Sequence, residues 1–230
     1  ESEFLLEKLH KHLDQPLDNL FVGAGSNELL RASAEITLDP GDEMIAPVPA
    51  FPTYQKLATL RDAVFIGVPC TDDGRIDIDV MLSAVTSRTR LMFVSSPHNP
   101  TGAVVSLDEL HHLSASLPDH VMLHFDEAYF EFGKAVGAPD TLQILSRRSG
   151  PWLSTRTFSK AYAMAGARVG YGVAGSKEIA VAIRKVRDNY SLNRMALAGA
   201  SAALEDQSFG EDLVGFVLAE QQRIAAAHNP

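Results

Sequence analysis

Val121-Met122-Leu123-His124-Phe125 is a short apolar run that ends on an acid, in Asp126-Glu127-Ala128-Tyr129. A run of this length, almost without charge until its last position, fits a strand buried on both faces. The same form recurs along the chain. Leu20-Phe21-Val22 breaks into Gly23-Ala24-Gly25-Ser26, Leu91 to Ser95 leads to Asn99, and Trp152 to Thr157 stops just before Lys160. Ala63 to Val68 and Val169 to Ala174 are further strand candidates, and the turn Leu38-Asp39-Pro40-Gly41-Asp42 leads into Met44-Ile45-Ala46-Pro47. Between these runs the apolar spacing becomes helical over residues 4–13, 27–36, 78–85, 179–186, 195–204 and 213–227. Strands alternating with helices predict an α/β fold, a three-layer sandwich whose mainly parallel sheet is covered on both faces. Right-handed crossovers then leave the strand carboxyl ends on one edge, where open α/β folds bind ligands. Ser26, Asn99, Asp126 and Lys160 each follow a different strand candidate, so four separate segments bring polar groups to that edge.

The bulk properties narrow the function. The chain has 230 residues, 46% hydrophobic and 21% charged, which reads as an ordinary globular protein with room for a substantial core. A net charge of -9 argues against a nucleic-acid surface, which needs clustered Lys and Arg. A single cysteine, Cys70, rules out an internal disulfide and fits a reducing, cytoplasmic compartment. No apolar run approaches a membrane span, and no signal peptide opens the chain. His111 and His112 are adjacent on one helix and diverge, so no metal site is expected.

Each polar residue on the edge has a plain reading and a chemical one. Lys160, in Thr157-Phe158-Ser159-Lys160, is by itself an ordinary solvated lysine. Beside Ser/Thr hydroxyls, and with Arg168 eight residues later, it also suits an aldehyde cofactor that carries a phosphate. Pyridoxal phosphate is such a cofactor, and Schiff-base chemistry would use the Lys160 amine first as its anchor and then as a base. Asp126 is either a helix cap or a carboxylate set against the pyridine nitrogen, keeping the ring an electron sink. Asn99, between prolines, marks a turn or donates to the ring hydroxyl, with Tyr129 as packing residue or second donor. Gly25-Ser26-Asn27-Glu28 opens a helix whose free N–H groups can receive phosphate. The Thr157 or Ser159 hydroxyls and the Arg168 guanidinium would complete that cage, although Arg168 can equally pair with a carboxylate. Tyr54, in Pro52-Thr53-Tyr54, is either core or a cover for one face of the ring.

With these motifs in view, the chain resembles the fold-type I pyridoxal-phosphate aminotransferases of class I/II, and most closely the histidinol-phosphate aminotransferases. The resemblance runs through Gly25-Ser26-Asn27-Glu28, Pro52-Thr53-Tyr54, His98-Asn99-Pro100-Thr101-Gly102, Asp126-Glu127-Ala128-Tyr129 and Thr157-Phe158-Ser159-Lys160 to Arg168. It implies that residues 1–230 are the large cofactor-binding domain of the aspartate aminotransferase-like fold. The family's N-terminal arm would lie before Glu1. Its small C-terminal domain, with the arginine that clamps the substrate carboxylate, would lie beyond Pro230, and Asn193-Arg194 resembles the stretch that passes back towards it. By resemblance Lys160 is the Schiff-base lysine and Asp126 the partner of the pyridine nitrogen. Asn99 and Tyr129 bond the ring hydroxyl, Tyr54 stacks on the ring, and Ser26, Asn27, Thr157, Ser159 and Arg168 hold the phosphate. The implied activity is amino transfer between L-histidinol phosphate and 2-oxoglutarate in histidine biosynthesis, by a homodimer without nucleic-acid or membrane partners. The alternatives are an aromatic amino-acid aminotransferase, a threonine-phosphate decarboxylase and, from another class, the pyridoxal-phosphate-sensing domain of a transcriptional regulator. A non-catalytic scaffold is opposed by the presence of every chemical group in the set.

Overall fold

The sheet is built from the apolar runs quoted above. In the computed structural model, which describes residues 2–228, seven strands form: β1 (Leu20–Gly23), β2 (Glu43–Val48), β3 (Val64–Pro69), β4 (Thr89–Ser95), β5 (Met122–Asp126), β6 (Trp152–Thr157) and β7 (Gly170–Ala174). They lie in the order β1-β7-β6-β5-β4-β2-β3. The pairs β2–β3, β2–β4, β4–β5 and β5–β6 are parallel, and β7 is antiparallel to both β6 and β1. β7 therefore runs against all the others. A parallel return needs a crossover of a dozen or more residues, usually with a helix. The link from β6 to β7, residues 158–169, holds no α-helix, only a short 3-10 turn at Ala165–Ala167, and the chain returns antiparallel.

Ten helices are described: α1 (Glu3–Leu13), α2 (Ser26–Thr37), α3 (Thr53–Leu60), α4 (Ile78–Ser83), α5 (Leu107–Ser116), α6 (Phe130–Ala135), α7 (Thr141–Leu145), α8 (Lys177–Val186), α9 (Arg194–Ala203) and α10 (Gln207–His228). Alternate strand residues enter two separate cores, as strand pleating requires. On one face Phe21, Met44, Phe93 and Leu153 pack against Leu29 and Leu30 of α2, Tyr54 and Leu57 of α3 and Ile183 of α8. On the other, Val22, Ile45, Val94, Leu123 and Phe125 pack against Leu5 and Leu9 of α1, Met81 of α4, Leu113 of α5 and Leu197 of α9. This is the expected α/β sandwich with its mainly parallel sheet. No described helix is long and apolar enough to cross a membrane.

The differences from the sequence reading lie in short or polar helices. α3, α6 and α7 are too brief for a periodic apolar stripe to stand out, and α10 begins at Gln207, before its apolar pattern starts. α5 did carry a signal: Ser106 accepts from Glu109 N while the Glu109 carboxylate accepts from Ser106 N, a complete capping box.

Two glycines decide how closely β7 and α2 approach. A Cβ on Gly170 would stand 2.6 Å from Ser26 N, 2.8 Å from Gly25 C and 2.9 Å from Arg156 O, all backbone atoms. Gly25 itself has φ 78°, and a Cβ there would lie 2.3 Å from Arg168 Nη2. Because backbone cannot step aside cheaply, Gly170→Ala is expected to destabilise the protein by about 1–3 kcal/mol and to push the start of α2 away from the sheet. Chemical denaturation checks the first effect. A wild-type midpoint would mean that the β7–α2 contact yields freely.

Candidate active site

Register brings the polar strand ends into line. Ser95 of β4 lies opposite Asp126 of β5, which lies opposite Thr155 of β6, so the residues that follow these strands emerge side by side. The uncapped start of α2 faces them from the end of β1. Between them is a cavity of about 230 Å³. Its lining includes Ser26, Asn27, Tyr54, Asn99, Asp126, Tyr129, Thr157, Ser159, Lys160 and Arg168, so every residue singled out in the sequence reaches one space. Phe51, Ser95, Pro97, Ala128 and Ala165 complete it.

Asp126 forms the floor. It is 4% exposed, and its Oδ2 accepts from the Tyr54 hydroxyl at 2.8 Å while Oδ1 accepts from Ala128 N at 3.1 Å. Burial pushes its pKa up to about 6, against the lowering effect of the Tyr54 hydroxyl, the Ala128 amide and the nearby Lys160 charge. A carboxylate so placed gains from any cation brought beside it.

Tyr54 departs from the expectation that it covers a cofactor ring. Its own ring is 1% exposed and stacks on Phe93, with centroids 4.6 Å apart and planes 8° apart. The helical turn of α3 directs it inward, and its hydroxyl is spent on Asp126. Burial and the Asp126 charge raise its pKa well above the usual phenol value. Phe51, three residues earlier and half-buried, is the aromatic ring that stands in the cavity wall, edge-on to Tyr54.

Lys160 is exposed at the cavity mouth, with Nζ 4.9 Å from the centroid of the Tyr129 ring. Its amine makes no hydrogen bond or ion pair with any described residue, which leaves it available. Asn99 and Tyr129 are half-buried on the side of the cavity nearest β4 and β5. The opposite end is cationic and rich in donors. Arg168 takes a left-handed conformation, φ 58°, which turns its guanidinium back over the site. Its Nη1 donates to Ala165 O at 3.0 Å and reaches Ser159 Oγ at 3.5 Å, and its Nη2 donates to Ala24 O at 3.3 Å. Thr157 Oγ1 donates to Ser159 Oγ at 2.9 Å and accepts from Ser159 N at 3.2 Å. With the N–H groups of Ser26 and Asn27 free of any side-chain cap, this end is built for an anion with several oxygens. No described cluster of His, Cys, Asp and Glu is suited to a metal ion.

Sequence reasoning missed what lies behind the floor. Glu127 and Arg156, 3% and 5% exposed, form an ion pair with Nε–Oε2 3.1 Å, and Ser154 Oγ donates to the same oxygen at 2.6 Å. The Arg156 guanidinium lies 3.3 Å from the centroid of the Phe130 ring. Glu131 borders the cluster, and burial pushes its pKa up to about 7. The pair ties the segment that carries Asp126 and Tyr129 to the strand that leads to Lys160. An arginine four residues before a lysine gives no sequence sign that it is buried.

Residues 2–229 match the family described as aminotransferase class I and II. The chain is 38% identical over 211 residues to histidinol-phosphate aminotransferase 2 of Carboxydothermus hydrogenoformans, covering 91% of this chain and 58% of that protein. It is also 38% identical over 226 residues to an aromatic amino acid aminotransferase of Rhodococcus erythropolis, covering 97% and 61%. Among solved structures it superposes on histidinol-phosphate aminotransferase from Sinorhizobium meliloti in complex with pyridoxal-5′-phosphate, with TM-score 0.89 and 29% identity over 97% of this chain and 60% of that one. The chain thus spans less than two thirds of the length of these relatives.

The buried acid has a signature in pH. Folding raises the Asp126 pKa from 3.8 to about 6, so its favourable contribution is complete below pH 3.8 and lost as pH rises through about 6. Asp126→Asn is therefore expected to make the cofactor-free protein more stable than wild type at pH 7.5, by about 1–3 kcal/mol, with the gain vanishing near pH 4. Urea titrations at the two pH values measure this. An equal effect at both would mean that Asp126 is not strained by its burial.

Proposed function

The chain belongs to the class I and II aminotransferases, and on that premise we propose that it is the cofactor-binding domain of an enzyme that moves an amino group between an amino donor and a 2-oxo acid. The observation that carries this reading is the single cavity that holds an unpaired lysine amine, a buried carboxylate and a multidentate anion site. Pyridoxal 5′-phosphate fits that donor set, and when bound it supplies an aldehyde that condenses with amines and a protonated ring that draws off electron density as a substrate C–H bond breaks.

The chain's own groups divide the work. Arg168, the Thr157 and Ser159 hydroxyls and the α2 N–H groups hold the phosphate. Asp126 would hold the ring nitrogen, where its negative charge would favour the protonated ring and be stabilised by it in turn. Tyr54 orients Asp126 from behind, and Phe51 covers a face of the ring. The Asn99 amide and the Tyr129 hydroxyl donate to the ring oxygen. Lys160 would anchor the aldehyde group, and its amine, once free, would serve as the base that holds a proton taken from the substrate.

For the substrate we favour L-histidinol phosphate with 2-oxoglutarate as acceptor. An aromatic amino acid is the second reading, supported by an equal identity to an enzyme of that name. The proposal includes a homodimer. Tyr190 and Met195, 94% and 84% exposed, present apolar surface suited to burial against a second copy.

Borohydride reduction of the longer protein with pyridoxal phosphate, followed by peptide mapping, is expected to label Lys160 alone. Lys160→Ala should remove the label and lower turnover about a thousandfold or more. Label on scattered lysines, or near-normal turnover of that variant, would sink the assignment. A panel of histidinol phosphate and the aromatic amino acids then separates the two substrate readings by kcat/KM.

A further inference from the structure

His124 lies two residues before Asp126 on β5 and on the same face of the sheet, since strand side chains repeat with period two. It is 0% exposed, and it hydrogen-bonds two other elements. Nδ1 stands 2.7 Å from Ser33 Oγ on α2, and Nε2 stands 2.9 Å from Thr155 Oγ1 on β6. The directions follow from the partners. Ser33 Oγ donates its proton to Leu30 O at 2.9 Å, so it must accept from His124 Nδ1–H. Nε2 is then the bare nitrogen and accepts from the Thr155 hydroxyl. Burial holds the imidazole neutral, with a pKa of about 3, which agrees with that single tautomer.

α2 is the helix whose first turn carries Ser26 and Asn27. Ser33 lies seven residues further along, about 10 Å at the helical rise. Among the described residues, Ser33 to His124 is the one hydrogen bond from an α2 side chain into the sheet; Glu28 and Arg31 bond loops and their own helix. The rest of the α2 contact with the sheet is apolar packing and the close backbone approach of Ser26 to Gly170, neither of which ties α2 to β5 by a directional bond. On its other side the imidazole lies 4.9 Å from the Phe93 ring, which stacks on Tyr54, the partner of Asp126. Tyr54, Phe93 and His124 therefore form one buried column from Asp126 to α2.

We propose that His124 is a positioning residue: through its buried hydrogen bonds to Ser33 and Thr155 it fixes how far the N-terminus of α2 stands from Asp126, and so sets the phosphate-binding end of the cavity. It touches neither cofactor nor substrate. The proposal rests on the reading that the Arg168 end of the cavity holds a phosphate.

The test compares binding of pyridoxal phosphate and of pyridoxal, which lacks the phosphate, to the longer protein and its variants by absorbance titration. Wild type is expected to favour pyridoxal phosphate strongly; equal affinities would overturn the phosphate reading itself. His124→Leu should raise the Kd for pyridoxal phosphate at least tenfold while changing that for pyridoxal less than twofold. His124→Asn, whose amide can still donate towards Ser33, should recover part of the loss. A role in stability alone would lower Tm while keeping the wild-type ratio of affinities, and that result would overturn the role of His124. Should His124→Leu not fold, Ser33→Ala removes one arm of the relay with little change in volume and should weaken pyridoxal phosphate selectively by at least threefold. An unchanged ratio in Ser33→Ala would count equally against the proposal.

Discussion

The buried carboxylate of Asp126 is the constraint to which the rest of the site answers. It sits at the end of a central strand, flanked in register by Ser95 and Thr155, and is almost wholly buried. The protein supplies two hydrogen bonds, from Tyr54 and from the Ala128 amide, and these do not offset the cost of desolvation. The group is left with an unmet preference for a cation. An empty, solvated acid would have no such preference. The affinity of the cavity for a protonated ring thus follows from where the strand ends.

The opposite end of the cavity is governed by distance between backbones. β7 and the start of α2 touch without side chains between them, because Gly170 presents only hydrogen to Ser26 N. That approach exposes the first N–H groups of α2 to the cavity, and the left-handed turn at Arg168 brings its guanidinium over them. One end of the site is therefore a buried acid, and the other is a set of hydrogen-bond donors around a guanidinium. The two are held apart by the sheet and by the column of Tyr54, Phe93 and His124.

Much of this was legible in the chain. The apolar runs marked β4, β5 and β6 to within a residue or two, because strands buried on both faces need nearly continuous apolar sequence. The polar residue after each run pointed to the ligand edge. The roles of aromatic residues were not legible. Tyr54 and Phe51 lie three apart in Phe51-Pro52-Thr53-Tyr54, and which of them is buried against Phe93 and Asp126 depends on how α3 packs on the sheet. The Glu127–Arg156 pair was hidden for a related reason: charge in a sequence reads as solvent exposure, and only packing shows that both groups are buried, with the Arg156 guanidinium against the Phe130 ring.

The sequence alone determined the alternation of strands and helices, the single edge where polar residues gather, and the chemical kinds gathered there: an amine, an acid, amide and hydroxyl donors, and a guanidinium. These are properties of composition and period, which local sequence carries. Tertiary structure decided which groups are buried, which face each other, and which proton each carries. His124 is the clearest case. Its sequence neighbours mark only a strand, and its tautomer is set by Ser33 and Thr155, 91 and 31 residues away. Desolvation and hydrogen-bond direction depend on atoms brought together from distant parts of the chain, so no local pattern can encode them.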